Sequence, residues 1–385
     1  MQVIRLIMII VGLSLLGGCI YEYNPEIEGS RGGLIINGKV TDQEGYQYVE
    51  ISRSAALYDQ DSERPVTGYT VEIQDDEGNG FPGAEMEPGL YGCWMDQEFL
   101  ATGTRYRLIV TDDRGNVYIS DFDELLPCPD IDSITYEIQE MQTAHPNITY
   151  QGLQFFVNTD CSGDYAKNFR WELEETWEYH SRYETSAYYD GSIQDPFTFS
   201  YDYFFCWESK RIQNIYTYST QNLTSGQIRN YPLHYVSNQS DRLSYKYSTL
   251  VKQFSLSREA FEFWNTLDKQ SKQGGELYGT QPAQIQGNIH PQDGGGEPVL
   301  GLFYATSIRE KRIFAGRPSI AVTEPTCKPY GFVEAELLEF LSEIDPFYYP
   351  IYLFFVDIFV YDYADQECFD CRLRGGTTER PDFWE

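Results

Sequence analysis

Leu34-Ile35-Ile36-Asn37-Gly38-Lys39-Val40 opens the part of the chain that decides the fold. It is a short run rich in Ile, Leu and Val, and from Asn37 onwards polar residues enter at alternate positions. That is the period of a half-buried β-strand. Working outward, similar runs recur at Tyr46 to Ser52, Tyr69 to Gln74, Tyr106 to Thr111 and Val117 to Ser120. The last two are joined by Asp112-Asp113-Arg114-Gly115-Asn116, whose Asp and Gly suit a hairpin connection. Asp75-Asp76-Glu77-Gly78-Asn79-Gly80 punctuates the chain in the same way. Five strands, with room for one or two more in about 95 residues, predict an immunoglobulin-like β-sandwich over residues 33–126. No Cys…Trp…Cys core signature accompanies them, so the likeness is one of architecture.

Pro127-Cys128-Pro129 interrupts the alternation and marks a domain boundary. Residues 127–385 then read as a larger β-rich domain. Its strands are expected at Ile134 to Ile138, Gly152 to Asn158, Asn168 to Glu178, Phe197 to Trp207, Ser244 to Phe254, Pro298 to Ala305 and Tyr349 to Tyr361. Two short helices interrupt them. In the first, Ser257 caps, Leu256 staples onto Phe261, Ala260, Trp264 and Leu267 follow at helical spacing, and Gly274-Gly275 stops it. The second, Phe332 to Leu341, places Val333, Leu337 and Leu341 on one face. Phe347 to Tyr361 is very apolar, yet it is too short to span a membrane and contains Pro350 and Asp357. It reads as a buried strand pair.

Composition agrees. A chain of 385 residues favours more than one domain, and 32 Tyr against 4 His leans towards pleated structure. Acids outnumber bases 59 to 28, for a net charge of -31. Such a surface repels phosphate backbones, and no basic stripe interrupts it, which argues against nucleic acid as a partner.

The first residues address the protein. Arg5 precedes the apolar run Leu6 to Leu16, and Leu16-Gly17-Gly18-Cys19 ends it. That run has the length of a signal-peptide core, and small residues before a Cys form a lipobox. Residues 1–18 are therefore expected to be removed, leaving Cys19 as a lipidated N-terminus on an acidic tether over residues 19–32. The alternative is an ordinary signal peptide with a chance Cys. More than one palmitate-type chain on Cys19 would anchor the protein stably in a bilayer, where a single chain is marginal. The expected place is the outer membrane, at the cell surface or on its periplasmic face. There, Cys93, Cys128, Cys161, Cys206, Cys327, Cys368 and Cys371 meet oxidising conditions. Seven is odd, so at most three disulfides form. Cys128, Cys161, Cys206, Cys327, Cys368 and Cys371 are the candidates, with bridges tying down the C-terminal tail favoured over a redox or metal role for Cys368-Phe369-Asp370-Cys371.

Chemistry-bearing motifs are scarce. There is no G-x-S-x-G elbow, H-E-x-x-H helix or Walker loop, and His145, His180, His234 and His290 stand apart from one another. Carboxylate pairs such as Glu174-Glu175 and Asp112-Asp113 are expected by chance among so many acids. Catalysis is not expected. Calcium is the most plausible ion, at Asp75 to Asn79 or Asp59 to Glu63, although neither has EF-hand spacing and a solvated acidic turn is the plainer reading. Aromatic clusters make better binding candidates, and Trp177, Tyr179, Tyr201, Tyr203 and Trp207 are the expected contact residues. The competing reading is that alternate rings on a strand form one core face.

An ordered series of motifs carries a resemblance. It runs from Gly38-Lys39-Val40-Thr41-Asp42 through Phe263-Trp264, Gly274-Gly275-Glu276-Leu277-Tyr278, Gln286-Gly287-Asn288-Ile289 and Val299-Leu300-Gly301-Leu302-Phe303. Cys368-Phe369-Asp370-Cys371-Arg372-Leu373-Arg374-Gly375-Gly376, closing on Pro381-Asp382-Phe383-Trp384, completes it. Together with the lipobox, this resembles the Bacteroidetes lipoprotein family called domain of unknown function 4249, over essentially the whole chain after the leader. The resemblance implies an outer-membrane lipoprotein, of a kind often encoded beside TonB-dependent receptors. It carries no catalytic residues across. An acidic, aromatic insertion near Phe332 to Tyr361 is the expected departure, and the tail, with Trp384 as anchor, reads as a structural clasp. The function expected is that of a binding subunit capturing a nutrient for a TonB-dependent transporter. A structural subunit of an envelope assembly and a carboxylate-dependent hydrolase are the alternatives.

Overall fold

The computed structural model describes residues 33–54, 63–143, 145, 147–194, 200–273, 285, 287–293, 297–357 and 360–385. The protein is mainly β. In the first sandwich, Leu34–Thr41 pairs antiparallel with Gly45–Ser54, which pairs on its other side with Leu90–Met95. Thr70–Asp75, Arg105–Thr111 and Val117–Ser120 form the second sheet. Gly80–Glu87 belongs to both, pairing first with Thr70–Asp75 and then with Leu90–Met95. The alternation explains the packing. Leu34, Ile36, Val49 and Ile51 are buried in one cluster with Val71, Ile73, Leu108 and Val110, and each such side chain contributes about 1.5–3 kcal/mol by leaving water. Asp112 closes its hairpin by accepting from the backbone N–H of Arg114 at 2.9 Å and of Asn116 at 2.8 Å.

The expected contiguous domain over residues 33–126 is incomplete. The strand foreseen at Pro298 to Ala305 is present as Val299–Leu300 and Phe303–Thr306, but both pieces run parallel to Leu34–Thr41 and belong to the first sandwich. Ile289–Pro291 likewise pairs with Val117–Ser120. Ile289, Val299, Phe303 and Ala305 are buried in the first core. Without them the Leu34–Thr41 edge would present unpaired N–H and C=O groups. Gly301 permits the approach: its φ is +103°, and a Cβ there would lie 2.2 Å from the Ile36 carbonyl oxygen.

The second sandwich sets a three-stranded sheet of Ser133–Gln142, Thr149–Asp160 and Gln227–Ser237 against a four-stranded one. The latter runs Phe205–Ser219, Asn168–His180, Lys246–Leu256, Ile308–Gly316. They share a core that includes Phe155, Phe169, Trp171, Tyr247 and Val251. The Trp171 indole N–H donates to Gln253 Oε1 at 3.0 Å, and Gln253 Nε2 donates to the Pro129 carbonyl at 2.8 Å. This network fixes the linker after Pro127 to the second core. The strand expected from Phe197 begins only at Phe205: residues 195–199 lie outside the described residues, and a turn occupies 202–204.

The first helix, α1 (Arg258–Gln273), is capped as expected, with Ser257 Oγ accepting from the Ala260 N–H at 3.1 Å. Leu256 and Phe261 share a cluster with Leu302 and Tyr304. The second, α2 (Glu334–Ser342), buries Leu337 and Leu341 but leaves Val333, expected on the same face, exposed at its cap. It packs on a small sheet of Ile193–Gln194, Ala187–Tyr189, Ile351–Asp357 and Val360–Asp362. The strand pair foreseen there exists, although Val356 and Val360 are exposed rather than buried.

Two disulfides close the tail, Cys206–Cys371 and Cys327–Cys368. Cys128 and Cys161, expected among the bridged residues, are free and buried, as is Cys93. Cys93 sits in the first core, apart from the other two. In the second core, Cys128 Sγ contacts Gln253 and Cys161 Sγ contacts the Thr159 carbonyl.

Candidate functional site

An open groove of about 730 Å³ lies where the first sandwich, the four-stranded sheet and α1 meet. Strand period puts its charged floor in place. Phe169 and Trp171 point into the second core, so Arg170 and Glu172 point the other way. Ile36 and Val40 point into the first core, so Lys39 also faces out. Arg211 arrives from the neighbouring strand, while Phe263, Trp264 and Leu267 of α1 form a wall with Leu302 and Tyr304.

Glu172 is held between two guanidinium groups. Arg170 Nη1 lies 2.8 Å from Oε1, and Arg211 Nη2 lies 2.7 Å from Oε2. Arg170 is only 8% exposed, and its Cζ sits 3.7 Å from the Trp264 ring centroid. Its Nε and the Trp264 indole N–H are buried without a hydrogen-bond partner among the described residues. Lys39 Nζ lies 4.7 Å from the Phe254 ring centroid and makes no hydrogen bond or ion pair among the described residues. Burial lowers the Lys39 pKa; Glu172 opposes that shift, and Arg170, Arg211 and Lys252 reinforce it. Burial alone would push Glu172 up, but Arg170, Lys39 and Arg211 together hold it below the ordinary carboxylate range. A general acid at neutral pH requires the opposite shift. Glu172 thus acts as a fixed counter-ion that orients two cations.

The aromatic residues expected to make contacts lie elsewhere, and none of the five lines this groove. Trp177 and Tyr179 are core residues, 4% and 2% exposed. The Tyr179 hydroxyl donates to the Cys371 carbonyl at 3.0 Å and accepts from the Gly376 N–H at 2.8 Å. Trp207 exchanges both backbone hydrogen bonds with Thr377, and Arg372 lies over the Tyr203 ring at 3.7 Å. Tyr201 alone is well exposed. The cluster is therefore largely a receptor for the chain's own tail, which no local pattern in residues 177–207 announces. Trp384 completes the clasp: it is 5% exposed, and its indole N–H donates to Glu178 Oε2 at 3.0 Å. A smaller cavity of about 220 Å³ adjoins it, lined by His180, Asp241, Glu324 and Arg374 among others. The legible but unused signal for the groove was the charged pair Arg170 and Glu172 flanking a buried Trp. Trp264 packs on Tyr304 and also roofs Arg170.

At the calcium candidate, Asp75 Oδ1 already accepts from the Glu77 N–H at 3.0 Å and the Asn79 N–H at 2.8 Å, and Oδ2 accepts from Asn79 Nδ2 at 2.7 Å. These are the bonds of an acidic turn. In the second candidate, residues 59–62 lie outside the described residues, as do Cys19 and the tether. Among the described residues no group of three His, Cys, Asp or Glu side chains is arranged to hold a metal.

Fold and site together define a two-sandwich β protein with a ligand-sized, cation-floored groove at the sandwich junction. The family described as domain of unknown function DUF4249 matches residues 20–312, and the chain belongs to that family. The matched span contains every groove residue named above, whereas the tail clasp and α2 lie beyond it. A search of curated proteins found no match. No helix among the described residues is long and apolar enough to cross a membrane, which leaves strands unaddressed.

Proposed function

We propose that the protein is a lipid-anchored outer-membrane binding subunit that captures a nutrient for a TonB-dependent transporter. The groove carries this reading. It is open to solvent, has the volume of a small-molecule site, and joins an apolar wall to a few convergent charged groups. The lipobox ending at Cys19 and the tether behind it support attachment to the bilayer. An open site on a tethered body suits hand-over to a partner, and Glu172, held below the ordinary carboxylate range by the cations beside it, is not placed as a general acid there.

The test is an affinity pull-down of the full lipoprotein from gently solubilised outer membranes, read by mass spectrometry. A stoichiometric TonB-dependent receptor is the expected result. Recovery of other envelope proteins without a receptor would make the protein a structural subunit instead. Absence of Cys19 acylation in the same preparation would remove the anchor.

A further inference from the structure

The groove has a charge problem that points to its ligand. The chain carries a net charge of -31, yet this groove gathers Lys39, Arg170 and Arg211 on one floor. Neighbouring charges are already matched. Lys252 pairs with Glu310 at 3.0 Å, and Arg312 lies 3.6 Å from Glu174. The single carboxylate of Glu172 is shared by two guanidinium groups. The remaining acid of the groove, Glu50, sits exposed at the rim. Lys39 is the cation left over: a partly buried ammonium over the Phe254 ring, with Glu172 but also Arg170, Arg211 and Lys252 around it, and with no hydrogen bond or ion pair of its own among the described residues. Holding such a group out of bulk water is costly unless an anion compensates it. The surroundings are apolar on the opposite side, where Phe263, Leu267, Leu302 and the half-exposed Tyr48 face the same space.

We infer that the groove binds an organic anion with a flat apolar body, its carboxylate, sulfonate or phosphate group against Lys39 and Arg211 and its body along the α1 wall. The inference rests on the groove being the capture site, but not on the transporter. A receptor missing from the pull-down leaves it standing, and a receptor found without anion binding overturns it alone.

The test uses the full chain after the leader and two dyes with the same rings. 8-Anilinonaphthalene-1-sulfonate carries a charge, and N-phenyl-1-naphthylamine lacks it. Fluorescence titration is expected to show one saturable sulfonate site, with the neutral dye at least about tenfold weaker. K39M and R211M are each expected to weaken the anionic dye about tenfold or more, while K39R retains binding. Arg211 is exposed at the rim, so R211M keeps the test valid should K39M fold poorly. Competition by 1-naphthoate and 1-naphthyl phosphate then ranks the head groups. Equal affinity for both dyes, unchanged binding in R211M, or no saturable site at millimolar dye would overturn the inference.

Discussion

Asp123 sits where the groove's three supports meet, and its titration offers the sharpest test of the architecture. It belongs to the short strand Asp123–Glu124 at the end of the first sandwich, and it is 6% exposed. Its Oδ2 accepts from the Ala305 N–H at 2.8 Å, and the Ser257 side chain at the start of α1 supports the same carboxylate. Burial nevertheless raises its pKa from 3.8 to about 6. An acid whose folded pKa lies above its unfolded one binds its proton more tightly when folded. Its stabilising effect is complete below the unfolded value and disappears as pH rises through the folded one. Roughly two units at 1.36 kcal/mol each give about 3 kcal/mol lost between about pH 4 and about pH 8. Asp123→Asn cannot ionise and keeps a carbonyl oxygen for the Ala305 N–H. Urea unfolding of both proteins, disulfides intact, is therefore expected to show near-equal stability at about pH 4 and an advantage of up to about 3 kcal/mol for the variant at about pH 8. The other acids titrate in both proteins and cancel in the difference. A difference that stays flat with pH, or one that favours the wild type as pH rises, would refute the reasoning.

The remaining expectations are briefer. Gly301→Ala should destabilise by about 2 kcal/mol or more, because its left-handed φ and the Ile36 carbonyl leave no room for a methyl group; an unchanged thermal midpoint would contradict the docking of residues 299–306. Trp384→Ala should cost about 3 kcal/mol and open the tail to limited proteolysis, and a protease-resistant variant of full stability would remove the clasp. Burial pushes the Cys93, Cys128 and Cys161 thiols up to about 12. All three should therefore resist a thiol reagent until the protein is unfolded without reductant. Peptide mapping that recovered a Cys128–Cys161 bridge would contradict this. Because burial lowers the Lys39 pKa, anion affinity in the wild type should decline with rising pH before it does in Lys39→Arg; coincident pH profiles would show that Lys39 does not bear the ligand charge.

Much of the fold was legible because its cause is local. The strands at Leu34 to Val40, Tyr106 to Thr111 and Val117 to Ser120 announce themselves by alternation and by the Asp–Gly turn between the last two. Helix α1 announces itself by Ser257, the Leu256–Phe261 staple and the glycines after it. Gln227–Ser237 and Ile308–Gly316 escaped because Asn230, Pro232 and a run of Arg and Lys blur their period. They are strands because their neighbours' free edges accept them.

The sequence by itself determined that the chain is mainly β and strongly acidic, and which family it resembles. Those properties follow from composition and from spacings shorter than a dozen residues. Tertiary structure alone decided that Ile289–Pro291, Val299–Leu300 and Phe303–Thr306 complete the first sandwich, that Cys206 pairs with Cys371 and Cys327 with Cys368, and that Tyr179 and Trp207 receive the tail. It also decided the site. Lys39, Arg170, Arg211 and Trp264 are far apart along the chain; in their own elements the three cations look like ordinary outward-facing residues and the tryptophan like part of the helix's apolar stripe. Only the packing of two sandwiches and a helix brings their charges and rings within reach of one ligand, and that packing is governed by long-range burial which no local spacing encodes.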